Sequence, residues 1–224
     1  MTDTADSAAA PAIRPESRLV ALLAIGAVIS LQIAIPERYT AVPRIPMIAL
    51  ESLLIVVILV SNPLTAHRWT VLGTWSMRLL IGAITLDNTL AAIVLDWHII
   101  NGEMADAAPV LLGSGAAVYL TNVIAFGLWY WALDRGGPAQ RAAGTTRYPA
   151  FQFPQMTSPP GQVRPGWRPM CFDYLYVGFT NSIAFSPTDT MPLARWAKAM
   201  MIVQSLVATT TIALVFARAV SVLN

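Results

Sequence analysis

Five long apolar runs, each bounded by proline or a polar cluster, organise the chain: Leu19 to Ile35, Ile45 to Val60, Trp75 to Leu95, Pro109 to Trp131 and Ala197 to Leu223. Runs of this kind predict five transmembrane helices. Pro36, Pro43 and Pro46 punctuate the first connection, and Asn62-Pro63 ends the second run. A sixth apolar stretch, Cys171 to Phe185, places Phe172, Leu175, Tyr176 and Phe179 at helical spacing, with Asp173 near its start where a carboxylate suits the helix dipole. As a helix it would rise only roughly 22 Å, against a hydrocarbon core of about 30 Å. The pattern therefore predicts a half-helix that enters the membrane and turns back through FSPTDT, Phe185 to Thr190. Backbone that turns at membrane depth must be shielded from lipid, because no water is there to bond it.

The expected fold class is all-α: a membrane bundle of five transmembrane helices plus one re-entrant half-helix before the last span. Residues 1–17 lack periodicity and read as a disordered tail. Residues 18–133 form the four-span bundle, 134–170 a Pro/Gly/Arg-rich loop, and 171–224 the half-helix, its loop and the final helix.

Composition sharpens this picture. With 56% hydrophobic and 12% charged residues and a mean hydropathy of +0.59, the chain is too apolar for a soluble domain. The first run follows Arg14 and Arg18 as a signal peptide would but lacks a small-x-small cleavage site, so it reads as an uncleaved span. A net charge of +2 implies no nucleic-acid partner. The single cysteine, Cys171, leaves no internal disulfide or cysteine metal cage, and no cofactor or metal is expected. Arginines gather in the tail, the second loop and the long fourth connection (Arg135, Arg141, Arg147, Arg164, Arg168), where anionic lipid headgroups are their expected contacts, while the third loop holds only Asp96, Glu103 and Asp106. The positive-inside rule puts the N-terminus and the long loop in the cytoplasm and the chain in the cytoplasmic membrane. Trp69, Trp75, Trp97, Trp129, Trp131 and Trp196 lie at span ends and read as an interfacial belt.

Two constellations carry candidate chemistry. Glu51 and Asp87 fall at similar depth in the hairpin of the second and third spans, where carboxylates are costly and face a cavity or a partner, so they can share a proton or hold a cation. Asn88, Asn122 and Gln204 can complete that polar centre, although for Asn122 and Gln204 interhelical hydrogen bonding that stitches the bundle is the favoured reading. In the FSPTDT region, Ser182, Ser186 and Thr188 offer hydroxyls, and Asp189 offers a carboxylate to attract cations. Helix capping by Ser186 and Thr190 accounts for their hydroxyls without any permeation role. Arg78 near a span end can snorkel, and Gly113, Gly115 and Ala117 give the fourth span a small face for close approach. His67 and His98 lie beyond opposite ends of the third span and cannot share a metal, so no enzyme is expected.

Ser182 to Ser186 resembles in side-chain shape the filter of tetrameric potassium channels, with Asp189 near where that family carries an aspartate. The resemblance implies a pore loop. Ala184 and Ser186 replace filter glycines and would each cost about 1–2 kcal/mol in a left-handed conformation, which disfavours a stack of coordinating carbonyls. Phe153-Pro154, Asp173-Tyr174-Leu175-Tyr176, Phe179-Thr180, Asp189, Arg195 and Lys198 resemble a family of uncharacterised five-span bacterial membrane proteins, a domain of unknown function. That likeness implies architecture and no activity.

The function expected is a cation-permeable, channel-like or proton-linked pathway through the re-entrant loop. The alternatives are a non-conducting scaffold and a small proton-coupled transporter using Glu51 and Asp87. Expected partners are the lipid bilayer, monovalent cations or protons, and further copies of the chain as a homo-oligomer.

Overall fold

A computed structural model describes residues 16, 18–61, 70–101, 108–144, 148–184 and 189–223. The helices are α1 (Leu19–Ala34), α2 (Arg44–Ser61), α3 (Val71–Ile100), α4 (Ala108–Leu133), α5 (Pro138–Ala143), α6 (Cys171–Ala184) and α7 (Arg195–Leu223). The all-α expectation is met. Strand among the described residues is confined to one two-residue antiparallel pair, β1 (Phe151–Gln152) with β2 (Met191–Pro192). The helices α2, α3, α4 and α7 are long and apolar enough to cross a membrane, and α1, at 16 residues, is shorter. These elements fit a multi-pass integral membrane protein.

α4 is the central helix and packs against α1, α3, α6 and α7. At its crossing with α6 two glycines meet: a Cβ added to Gly178 would stand 2.7 Å from the Val123 carbonyl oxygen and 3.1 Å from the Gly127 nitrogen. Small residues allow such backbone contact without a hydrophobic driving force between helices. Of the small face expected on α4, Gly115 abuts Val215 of α7, while Gly113 faces open space.

The two ends of the bundle differ. At one end α1 begins, α4 finishes, and α6 and α7 both start: Glu16 bonds Trp131 and Cys171, and Trp196 packs edge-on against Phe151. The last α4 carbonyls there are capped by arginine, Ala132 O by Arg78, which also bonds Gly136 O in the turn that follows, and Trp131 O by Arg141, as cations suit a helix C-terminus. Arg78 therefore works as a cap rather than a simple snorkel. Beyond α4 the chain reverses through Arg135, Gly136 and Gly137 with φ of 50°, 79° and 101°, a left-handed run that the two glycines make accessible. At the opposite end the α1–α2 loop meets α3 through Tyr39 and His98.

Trp75 and Trp97 are exposed on α3, about 33 Å apart at helical rise, which matches a membrane's two interfaces. Trp129 and Trp131 instead turn inward. Trp129 donates to the Thr85 hydroxyl and Trp131 to the Glu16 carboxylate: they lie about 200° apart around α4, which has neighbours on more than one side. Trp69 and His67 lie outside the described residues.

Candidate functional site

α2 is almost wholly apolar and mostly exposed, with only Glu51 and Ile58 buried among its residues. Its one carboxylate thus points into the bundle, where α3 presents Asp87. Between them stands Gln32 of α1: its amide nitrogen donates to Glu51 Oε1 at 3.2 Å and to Asp87 Oδ2 at 3.0 Å. The structure therefore unites the two carboxylates expected to pair, through a third residue that the sequence reading passed over. Glu51 is fully buried, and Asp87 and Gln32 are nearly so. Among the described residues no basic side chain pairs with either carboxylate. Glu51 Oε2 and Gln32 Oε1 are buried without a hydrogen-bond partner, as is Asn88 Oδ1 one position along α3.

The surroundings explain how this centre is reached. Asp87 lies about 15 Å inward of Trp97 at helical rise, close to mid-depth between the two exposed tryptophans. α1 ends at Ala34, just past Gln32, so the chain leaves the helix at that depth and continues through the proline-punctuated segment 35–43. Arg44 donates to the Ile35 carbonyl and ties the two ends of this segment together. An open cleft of about 370 Å³ lies over Glu37 to Pro46. Behind it a cavity of about 20 Å³ shares Thr40, Val42 and Arg44 with the cleft and has Gln32 and Asp87 in its wall. A cavity of that size holds about one water. Toward the other end the space is filled by apolar side chains, among them Ile25, Val28, Leu80, Ile81 and Ile84.

Asn122, Gln204 and Ser182 belong to a separate network. Gln204 of α7 donates to the Gly178 carbonyl at 2.7 Å and the Ser182 hydroxyl at 2.9 Å, and accepts from Tyr130 at 2.6 Å and Asn181 at 2.9 Å. Asn122 donates to the Gln204 backbone carbonyl. Every polar atom of the Gln204 side chain is satisfied, and the network joins α4, α6 and α7 in the manner of interhelical stitching. Asn122 thus stands with Gln204 and away from Glu51 and Asp87. Asp189 is exposed and Thr190 is buried, while Ser186 and Thr188 lie outside the described residues.

A third cluster closes the arginine-rich end. Glu16, within the stretch expected to be disordered, accepts from Trp131 Nε1 and the Cys171 amide at 2.6 Å each and pairs with Arg141 at 3.1 Å. Asp134 accepts from the Ala150 amide at 2.7 Å and from the Tyr174 hydroxyl at 2.5 Å. Burial, then the Glu16 charge, pushes the Cys171 thiol up, and burial raises the Tyr174 phenol well above its ordinary range. In both cases the folded state resists losing a proton that the unfolded chain gives up near 9.0 and 10.0 respectively. The stabilisation is complete below those values and declines above them, by up to about 1.4 kcal/mol per pH unit for each group. We expect the detergent-solubilised protein to melt progressively earlier from pH 9 upward, and Cys171→Ala to delay the onset toward pH 10. A Cys171→Ala protein whose melting falls in parallel with the parent between these values would show that the thiol takes no part.

No protein-family model, curated protein or solved structure matches the chain.

Proposed function

We propose that the chain is a membrane carrier whose coupling site is the Gln32–Glu51–Asp87 centre, loaded with a proton or a small monovalent cation through the cleft at the α1–α2 loop. One observation carries the reading: two buried carboxylates share one amide nitrogen beside unpartnered acceptor oxygens, and one of them, Asp87, stands with Gln32 in the wall of a water-sized cavity behind an open cleft. Carboxylates at membrane depth without a basic partner need a compensating positive charge, which a proton or cation supplies. Non-helical backbone at that depth is tolerated where it lines a cavity, and the C-terminal end of a helix stopping there adds negative potential. Interrupted helices of this kind form the ion sites of many carriers. The apolar fill beyond the centre supports access from one side at a time. With the arginine-rich end in the cytoplasm, the cleft faces outward.

The decisive measurement is ion flux into proteoliposomes, read with an entrapped pH dye under a proton gradient and with a sodium dye under a sodium gradient. One of the two should exceed empty vesicles, and Asp87→Asn or Glu51→Gln should each reduce it at least about tenfold, the equivalent of 1.4 kcal/mol. Rates equal to empty vesicles under both gradients, or undiminished in Asp87→Asn, would refute the reading.

A second reading has its own support. α6 and α7 start at the same end and run side by side, with Asn181 bonded to Met201 and Gln204, and the chain after α6 is back at β1 by Met191. That course supports the reading of a re-entrant half-helix, and Asp189 is exposed just before β2. The Ser182 hydroxyl is already engaged by Gly178 and Gln204, so a cation pathway there would rest on Asp189 and the loop before it.

A further inference from the structure

We propose that the arginine-rich end carries a binding site for one anionic phospholipid, its phosphate held by Arg135 and Arg168 and its glycerol and upper acyl chain in the adjoining cleft. That cleft has a volume of about 470 Å³, within the range of small-molecule sites. Its walls are mainly apolar and aromatic, with Leu133, Tyr148, Leu193 and Trp196 prominent and Arg135 at its polar edge. On the other side of Arg135 a smaller pocket of about 30 Å³ brings Arg135, Arg141 and Arg168 together.

The charge balance there favours an anion. Glu16 also lines the small pocket, but its carboxylate is taken up by Trp131, the Cys171 amide and Arg141. Asp134 is 3.8 Å from Arg135 Nε, and its two oxygens already accept from Ala150 and Tyr174. Arg168 makes no hydrogen bond or ion pair among the described residues. Arg135 has only a 3.6 Å contact to the Met156 sulfur besides Asp134, and its Nε lacks a hydrogen-bond partner. Two incompletely paired guanidinium groups beside one pocket suit a phosphodiester, which each can grip with parallel N–H groups.

Position selects a lipid over a soluble anion. The cleft lies where α4 ends and α7 begins, so its floor is level with the ends of two membrane-length helices. Trp196 and Tyr148 furnish the amphipathic surface found at headgroup depth.

The test is thermal melting of the full-length protein in detergent, titrated with phosphatidylglycerol, with phosphatidylcholine of the same chains, and with inorganic phosphate. Phosphatidylglycerol should act at concentrations about fivefold or more below phosphatidylcholine, and the preference should shrink with added salt. Arg135→Gln and Arg168→Gln should each weaken it by about fivefold, the equivalent of about 1 kcal/mol per arginine. Arg164→Gln, an exposed site outside both pockets, should leave it unchanged. If Arg135→Gln fails to fold, Arg168→Gln decides alone, since that side chain holds nothing else in place. Equal action of the two lipids, a preference untouched by Arg168→Gln, or inorganic phosphate matching phosphatidylglycerol would each overturn the proposal.

Discussion

Gly178→Val should unseat α6 and lower the melting temperature of the solubilised protein by roughly 6–12 °C, a cost of about 3 kcal/mol at the upper end of overpacking effects. The atoms a new Cβ meets are backbone: the Val123 carbonyl oxygen at 2.7 Å, the Gly127 nitrogen at 3.1 Å and its Cα at 3.2 Å. A side chain could rotate away, but a helix backbone cannot, so the whole crossing must open. Opening it would also break the Gln204 bonds to Gly178 and Ser182, which join α6 to α7. Gly127→Ala should act in the same direction from the other side of the crossing, since its Cβ would stand 2.8 Å from the Leu175 Cα. Gly113→Ala provides the contrast: with nothing within 4 Å it should be neutral, or stabilising by up to about 1 kcal/mol through helix propensity. Melting of Gly178→Val within about 2 °C of the parent would mean that the crossing is looser than these distances state.

Asp134→Ala should be of similar severity, about 3–5 kcal/mol, for an electrostatic reason rather than a steric one. The carboxylate is fully buried and joins three parts of the chain: it follows the end of α4, accepts from Ala150 just before β1, and accepts from Tyr174 in α6. Removing it strands a buried amide and a buried hydroxyl, each worth about 1–3 kcal/mol when unsatisfied. Tyr174 sits between the Phe151 and Phe153 rings at 6.1 and 5.3 Å and has no room to seek water. Asp134→Asn keeps one acceptor oxygen and should lose less than half as much. Differential melting of the two variants checks both statements, and an alanine variant no worse than the asparagine one would remove Asp134 from the centre of this end.

How far the sequence carried each feature depended on whether the feature is local. The depth match of Glu51 and Asp87 was legible because counting along two helices in a hairpin fixes depth. Gln32 was not, because a glutamine two positions from a helix end looks like an ordinary interfacial residue until the end proves to lie at mid-depth. Trp129 and Trp131 look like Trp75 and Trp97 in the sequence, yet two turn inward and two outward. Glu16 shares its composition with a tail that has no periodicity, and only the indole, amide and guanidinium around it single it out. The glycines expected at the α4 crossings included Gly115, which does touch α7, and Gly113, which touches nothing.

Hydropathy and helical period alone determined that this is an all-helical chain with membrane-length apolar helices, where its turns fall, and which polar groups are stranded among apolar neighbours. Tertiary structure alone decided which face of each helix meets protein, which third groups join the carboxylates and which polar groups stand apart from them, and where the bundle opens to a cavity. The reason is that lipid and protein interior are equally apolar. An aliphatic side chain is at home in either, so the direction a membrane helix faces is set by backbone contact at glycines and by directional hydrogen bonds between residues far apart in the chain.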